Sequence, residues 1–573
     1  MRNLSLEWGA RCAVLAVCCT ARYIHAQSPT PSAIARVDTF MSRAAQHGLS
    51  GTLLVARHDS ILLLRAYGIA DRGSRTALTV GSPFFLGSIA KTFTAAAILR
   101  LEADGKLSVH DSVRKFFPAV RGPIANVTLD QMLSHTAALP YLPTAGLFGE
   151  GTRDSVMREM LAESLEFEPG ARYGYSSVGF TLLAGVVERV SGEPYERFVE
   201  RTLFAPAHLS SAGFVGDSLR WRQPSTRSYS DNEPEPSLAE LPAFPRMVGA
   251  GSIVMTVSDL YQWYRSLLAG QILPKDAADK LFRPRTQIRA GQSGGYAWTI
   301  ATIPSGSLRL IAGDIGGFNA EIRHYVDEQF VVAFGSNRRT HGRGDREIVM
   351  NNVGRIMRGT DVPLPPALAR SSPSQLQRME GEYTTEDGGH LLVRIHGDSL
   401  LLGATDSAGV AALHSPNEAA NEDPSQLGAA ANWLLAALGR PGAGLDTLFD
   451  SSLPADVRSN VVRRLRAEFQ DSSTAPPELL GSYVNGSDGI THLRTHRRGR
   501  PPEFASLMWR GTKLTGVEFN QAVASPELLA LEPSGSGVAY DLITGRTIRL
   551  AMTGIVTLEV GGVKRRILRV NSR

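Results

Sequence analysis

The stretch PFFLGSIAKTFTAAAILRL, residues 83–101, decides how the rest of the chain is read. An apolar approach, Pro83–Leu86, runs through Gly87 into Ser88, and an apolar helix follows at once, Lys91–Asp104, closed by Gly105. Ser88 then sits at a helix N-terminus, with Lys91 one turn on along the same face. The positive end of that helix favours a developing alkoxide. A lysine on an apolar face loses hydration, which lowers its pKa towards values suited to proton transfer. The pair also fits a plain N-cap serine beside a snorkelling lysine. Taken alone, it leaves both readings open.

The other serine signals lack this context. Ser112 and Lys115 repeat the spacing in charged text shortly before Pro118, which reads as a solvated turn. GQSGG, residues 291–295, spells a nucleophile elbow, yet polar Arg283–Arg289 precedes it where a buried strand is needed, so it reads as a glycine loop. GDSL occurs at 216–219 and again at 397–400. The second copy spans His396–Asp398, a hairpin turn between alternating segments, and both read as loops.

Working outward, Gly51–Ala56 and Ser60–Arg65 read as paired strands around a His58-Asp59 turn. A second helix runs from about Val178 to Val190 and stops at Gly192, with Pro194 beyond. Strands return at Leu308–Ala312, Ala320–Tyr325 and Phe330–Gly335. Strands, then mainly helices, then strands again predict a mixed α/β domain over residues 27–360 with an inserted helical region. Residues 361–375 have the proline- and serine-rich composition of a linker. From 376 to 573 period-two text dominates, as in Leu391–His396, Ser399–Gly403, Lys513–Phe519, Thr547–Met552 and Gly554–Val560. Helical stretches near Gln426–Leu438 and Pro454–Phe469 interrupt it, and Gly381-Glu-Tyr383 is echoed by Gly481-Ser-Tyr483. This part reads as a β-rich accessory module with inserted helices.

Composition narrows the class. Of 573 residues 43% are apolar and 20% charged, enough for a sizeable core and unlike disordered, collagenous or disulfide-scaffold chains. Mean hydropathy is −0.08, and past the first thirty residues no uncharged apolar run is long enough to span a bilayer. The net charge of +5 comes from 60 basic residues scattered among acids, 53 of them arginine, which argues against a nucleic-acid partner. Residues 1–26 read as a secretory leader: Arg2 and Arg11 in front, an apolar core from Cys12 to Ala21, and small Ala26 before Gln27. The predicted mature protein is secreted or periplasmic. All three cysteines (Cys12, Cys18, Cys19) fall in that leader, so no disulfide, thiol nucleophile or cysteine metal site is expected. The 13 histidines show no His-Glu-x-x-His spacing, and no metal or cofactor is expected.

Four further segments accompany Ser88 and Lys91 in order: LSHTAALP at 133–140, PGARYGYSSVGF at 169–180, GAGSI at 249–253 and GDIGGF at 313–318. With them the sequence resembles the serine β-lactamase/penicillin-binding-protein superfamily over about Ile34–Met357. Within it the pattern is most similar to the class C β-lactamase-like group of secreted serine hydrolases, esterases and D-amino-acid peptidases. The resemblance implies a mixed antiparallel sheet with flanking helices and a helical region. It implies that Ser88 attacks a carbonyl, that Lys91 helps remove its proton, and that Tyr175 is the partner acid/base. Backbone N–H groups of Ser88 and Gly317 would form the oxyanion hole, Ser177, Asp314 and Gly316 would meet substrate, and His135 would be structural. The C-terminal module resembles the lipocalin-like β domains appended to some members.

Two positions depart from the pattern. Ser177 stands where asparagine is usual, with one donor in place of two. Asp314 stands where lysine or histidine is usual, which reverses the sign of the charge. An aspartate there is expected to repel a substrate carboxylate and to raise the pKa of Tyr175, unless arginines such as Arg323 offset it. The expected function is a secreted acyl-serine hydrolase acting on a small-molecule or peptide ester or amide that lacks the usual carboxylate. The alternative is a non-catalytic binding or sensor member of the family.

Overall fold

A computed structural model describes residues 31–369 except 223–224, 231–232 and 341–342, and beyond 370 the segments named below. The leader at 1–26 and its three cysteines lie outside the described residues. Among the described residues no helix is long and apolar enough to cross a membrane.

The first domain is built on an eight-stranded antiparallel sheet. Its spatial order is Thr286–Arg289, Gln292–Gly294, Thr299–Ile303, Gly306–Ile315, Phe318–Tyr325, Phe330–Ser336, Gly51–Arg57 and Ser60–Tyr67. The N-terminal hairpin therefore joins the last strands, with Leu53 opposite Phe334 and Val55 opposite Val332. Gly51–Ala56 is buried throughout because both faces of this strand are covered, which explains its unbroken apolar text. Leu53 and Val55 pack against the helices Pro31–Gln46 and Arg346–Met357 on one face, with Val37, Phe40, Val349 and Val353. Leu54 and Ala56 point the other way, into a larger core shared with the helices Ala90–Ala103, Val178–Ser191 and Val257–Leu268.

The helix Ala90–Ala103 is buried on nearly every side, as expected of a helix that is apolar all round. Phe93 stacks on Trp263 with ring centroids 3.9 Å apart. The helix Val178–Ser191 packs beside it and ends where Gly192 takes a left-handed φ of 76°.

The first half of the segment with linker composition is tied to the helix Pro31–Gln46. Arg36 donates to Val362 O at 2.7 Å, Arg43 to Pro365 O at 3.2 Å, and Gln46 accepts from Leu368 N at 3.1 Å. Proline-rich backbone has polar groups that no ladder pairs; the two arginines take up carbonyls and Gln46 takes up an N–H. Val362 is buried with the same core.

In the C-terminal module eight strands close into a barrel: Gly381–Thr385, His390–His396, Ser399–Ala404, Glu527–Leu531, Gly537–Tyr540, Thr547–Ala551, Thr557–Val560 and Val563–Val570. The first strand pairs with the last, Glu382 opposite Val570. Alternate residues such as Leu391, Val393, Leu400, Leu402, Ile548 and Leu550 fill the interior. Between the third and fourth barrel strands lies a separate four-stranded meander, Glu478–Asn485, Asp488–Thr495, Glu503–Arg510 and Lys513–Phe519, capped by the helix Ser425–Leu438. The two echoed Gly-x-Tyr phrases thus belong to different sheets. Much of the expected helix at Pro454–Phe469 lies outside the described residues.

Candidate active site

Ser88 lies in a 3-10 turn, Gly87–Ile89, that leads straight into the helix Ala90–Ala103. It is half-buried, while its neighbours from Ser82 to Gly87 and the helix behind it are buried. Two glycines make this turn possible. Gly87 has φ of 51°, a left-handed conformation. Gly313 passes so close that a Cβ on it would lie 2.0 Å from Leu86 O and 2.7 Å from Ser88 N. The strand Gly306–Ile315 is thereby laid directly against the serine.

Lys91 is 1% exposed. Its Nζ donates to Ser88 Oγ at 3.1 Å and to Ala250 O at 2.8 Å, and sits 5.0 Å from the centre of the Tyr175 ring. The GAGSI turn thus supplies the carbonyl that aims the amine. Burial pulls the Lys91 pKa down to about 7. An amine near its neutral point, bonded to a hydroxyl, is equipped to take a proton from it.

Tyr175 shares a hydrogen bond with Ser88. Its ring stacks on His135 at 4.4 Å and meets Tyr141 at 5.6 Å. Burial pushes the phenol above its ordinary value; the bond from Ser88 opposes this, and nearby Tyr173, Tyr141 and Asp314 add to it. Tyr175 is a neutral phenol at neutral pH, in the direction the aspartate suggested. His135 is buried, and burial followed by the Lys91 charge lowers its pKa to about 3. The neutral ring accepts Ser176 N at Nδ1 (3.1 Å), and its own carbonyl accepts Gly174 N (2.8 Å), which pins the tyrosine loop. Ser177 is 5% exposed and starts the helix Val178–Ser191; its N–H donates to Tyr141 O at 2.9 Å, and its hydroxyl caps nothing.

Asp314 does not stand as a bare negative charge. Arg346 Nε and Nη2 grip its two oxygens at 3.1 and 2.8 Å, while Arg346 Nη1 reaches buried Glu321 at 2.9 Å. Arg323, the arginine expected to offset it, instead pairs with Glu321 and donates to Asn351 at 2.6 Å. Two carboxylates and two guanidiniums make a neutral cluster, so the expected repulsion is largely cancelled locally.

The glycine pair differs more. Asp314 faces Asn319 and Ile315 faces Phe318, so Gly316 and Gly317 form a two-residue hairpin turn. The Gly317 N–H, expected to face the reacting carbonyl, donates to Glu235 Oε2 at 2.6 Å. A Cβ on Gly316 would lie 2.5 Å from the same oxygen.

The decoys are far simpler. Ser112 precedes the short helix Val113–Phe116, and its Lys115 is exposed and paired with Asp111 at 2.6 Å. Ser293 sits on the strand Gln292–Gly294 and not in a loop. Ser218 is exposed beside a turn in which Asp217 accepts Arg220 N, and Ser399 opens a barrel strand opposite His396. A cavity of about 650 Å³, lined by His58, Tyr261 and His324, opens at the far end of the sheet and holds none of the site residues.

A half-buried serine, a buried amine bonded to it and a phenol beside both, set between a helix N-terminus and an antiparallel sheet, define a serine hydrolase of the β-lactamase and penicillin-binding-protein type. The chain belongs to the β-lactamase family, whose model matches residues 34–353. Esterase EstB of Burkholderia gladioli is 31% identical over 227 residues, 36% of this chain and 57% of that one. The octameric penicillin-binding protein homologue from Pyrococcus abyssi superposes with a TM-score of 0.52 at 19% identity, covering 86% of this chain and 99% of that chain. The D-amino acid amidase from Ochrobactrum anthropi SV3 has a TM-score of 0.50 at 17% identity, covering 57% and 98%. These two structures share the fold with this chain, the first well beyond the residues of the family model.

Proposed function

We propose that this protein is a secreted serine hydrolase that cleaves neutral esters or amides through an acyl-enzyme on Ser88. The carrying observation is the buried Lys91 amine, 3.1 Å from Ser88 Oγ and lowered by burial to a pKa of about 7. Neutral Lys91 takes the Ser88 proton as Oγ bonds to the substrate carbonyl carbon. The carbonyl oxygen becomes an oxyanion facing the N–H of Ser88 at the start of the buried helix; the Gly317 N–H, the second donor that the resemblance implies, is bonded to Glu235. Tyr175, a neutral phenol hydrogen-bonded to Ser88, passes a proton to the leaving group and is reprotonated from Lys91. Water then releases the acid by the reverse proton path.

The substrate preference follows from Asp314. Both its oxygens are held by Arg346, and a pair that is neutral as a unit offers no cation to a substrate carboxylate. Carboxylate-bearing β-lactams and peptides therefore lose an attraction, and neutral esters lose nothing. Secretion is supported by the charged, apolar and small-residue order of residues 1–26. The test is turnover of p-nitrophenyl esters by serine variants. Ser88→Ala should abolish it, while Ser112→Ala, Ser218→Ala, Ser293→Ala and Ser399→Ala should leave it nearly intact. Activity that survives Ser88→Ala and vanishes with one of the others defeats the assignment.

A further inference from the structure

We propose that the cavity at the far end of the sheet is a second ligand site, one that takes a small carboxylate carrying an apolar or aromatic body. The cavity measures about 650 Å³, within the range of ligand pockets, and shares no residue with the Ser88 site. One wall is the C-terminal part of the helix Val257–Leu268. The other is formed where the strands Phe318–Tyr325 and Phe330–Ser336 meet their connecting turn, with the exposed His58-Asp59 turn at the rim. Asp59 is the one carboxylate among the lining residues, which also include Arg265 and two histidines.

Three donors in this lining are unspent or weakly spent. Tyr261 is 2% exposed, and its hydroxyl is buried with no hydrogen-bond partner. A hydroxyl buried in that way destabilises the free protein and is relieved by a ligand acceptor. His324 supplies the second donor. Its Nδ1 lies 2.7 Å from Tyr264 Oη, and the Arg309 guanidinium, which can only donate, faces the same phenol. Tyr264 therefore donates to Nδ1, which leaves the ring proton on Nε2. Burial, followed by the Arg309 charge, lowers the His324 pKa to about 4, so the ring is neutral at neutral pH. Its Nε2–H has no partner among the described residues. Arg265 is the third donor. It lies over the Tyr261 ring, 5.8 Å from the ring centre, and donates to Asp59 Oδ1 at 2.9 Å. Asp59 is 88% exposed, so that pair is worth little and is open to exchange.

A carboxylate answers this donor-rich set. It takes Arg265 from Asp59 on equal terms, since both are anions, and it brings a second oxygen for the neutral donors. Turning the guanidinium off the Tyr261 ring uncovers the phenol, and the movement is a rotation of one partly exposed side chain. Leu268, Val326 and Val331 offer apolar surface to the rest of the ligand. A neutral molecule does not displace Asp59, and a cation meets Arg265 head on. Carboxylic acids are also what an ester hydrolase releases, although the site itself does not depend on that activity.

The experiment titrates the full chain with phenylacetate by calorimetry, with phenylacetamide as the neutral counterpart and thermal melting alongside. Wild type should bind phenylacetate saturably and phenylacetamide at least about tenfold more weakly. Arg265→Gln should weaken phenylacetate binding about tenfold or more. Tyr261→Phe should weaken it about fivefold without melting lower than wild type, because the hydroxyl bonds nothing in the free protein. Asp59→Asn releases Arg265 and should tighten binding about threefold, a gain that no folding defect imitates. Phenylacetate held at the Ser88 site would be indifferent to all three changes and sensitive to Lys91→Met. Unchanged affinity in the three variants, equal affinity for the amide, or no saturable binding by folded wild type overturns the second site. Loss of esterase activity assigned to another serine leaves these titrations unaltered, so the two readings fail separately.

Discussion

Replacing Lys91 by methionine separates what the buried amine does for chemistry from what it does to stability. In the folded protein its pKa is about 7, against 10.5 for an exposed lysine. At pH 7 about half of the amine is then neutral, compared with roughly one part in 3,000 for a free lysine. The stability sign follows by linkage. Between pH 7 and 10.5 the unfolded chain binds the proton and the folded chain does not, so stability rises with pH across that window. Below pH 7 the penalty is fully present, on the order of 5 kcal/mol, and it fades as pH approaches 10.5. Lys91→Met is nearly isosteric and needs no hydration, so it should melt higher than wild type at pH 7 while losing esterase activity by about a hundredfold or more. The stability gap should narrow as pH is raised towards 10, in denaturant titrations run at several pH values. In wild type, kcat/KM for p-nitrophenyl butyrate should climb about tenfold per pH unit below 7 and level off above it. A variant no more stable than wild type at any pH, or an activity inflection near the free-lysine value, would refute the reasoning.

Other substitutions probe the remaining parts. Tyr175→Phe should lower kcat about a hundredfold while Ser88 still labels, and combined with Lys91→Ala the losses should fall well short of multiplying, because both serve one proton path. Losses that multiply would separate their roles. Asp314→Asn leaves Arg346 bonded to Glu321 with one guanidinium edge released; kcat/KM for an anionic ester should rise about fivefold relative to a neutral one, and an unchanged ratio counts against the electrostatic account. Gly313→Ala places a methyl 2.0 Å from Leu86 O, so it should displace the serine turn, lower stability by about 1–3 kcal/mol and remove activity; wild-type turnover in this variant contradicts the packing.

What the sequence discloses depends on separation along the chain. Ser88 and Lys91 share one helical turn, and their contact is legible from spacing plus the apolar text around them. Strand alternation likewise announces Leu391, Val393, Ile548 and Leu550 as interior. Barrel closure was not legible, since Gly381–Thr385 pairs with Val563–Val570 across the whole module. The charge at Asp314 was visible but its partner was not: Arg346 lies 32 residues on, at the start of a helix on the far face of the sheet, with no local motif to mark it. Arg323 was the nearer candidate, and it is taken by Glu321 on its own strand. Glu235 is further still, 82 residues before the glycine it binds, in a stretch that carries no motif. The only sequence signal for it was the Gly316-Gly317 pair itself, which called for a close approach without saying by what.

The most direct test of the nucleophile is to react the full-length protein with a fluorophosphonate, measure its intact mass, and map the modified peptide. A single adduct on Ser88, abolished by Ser88→Ala and slowed as pH falls below 7, is the predicted result. An adduct on Ser112, Ser218, Ser293 or Ser399, or no adduct on folded protein at any pH, would contradict it.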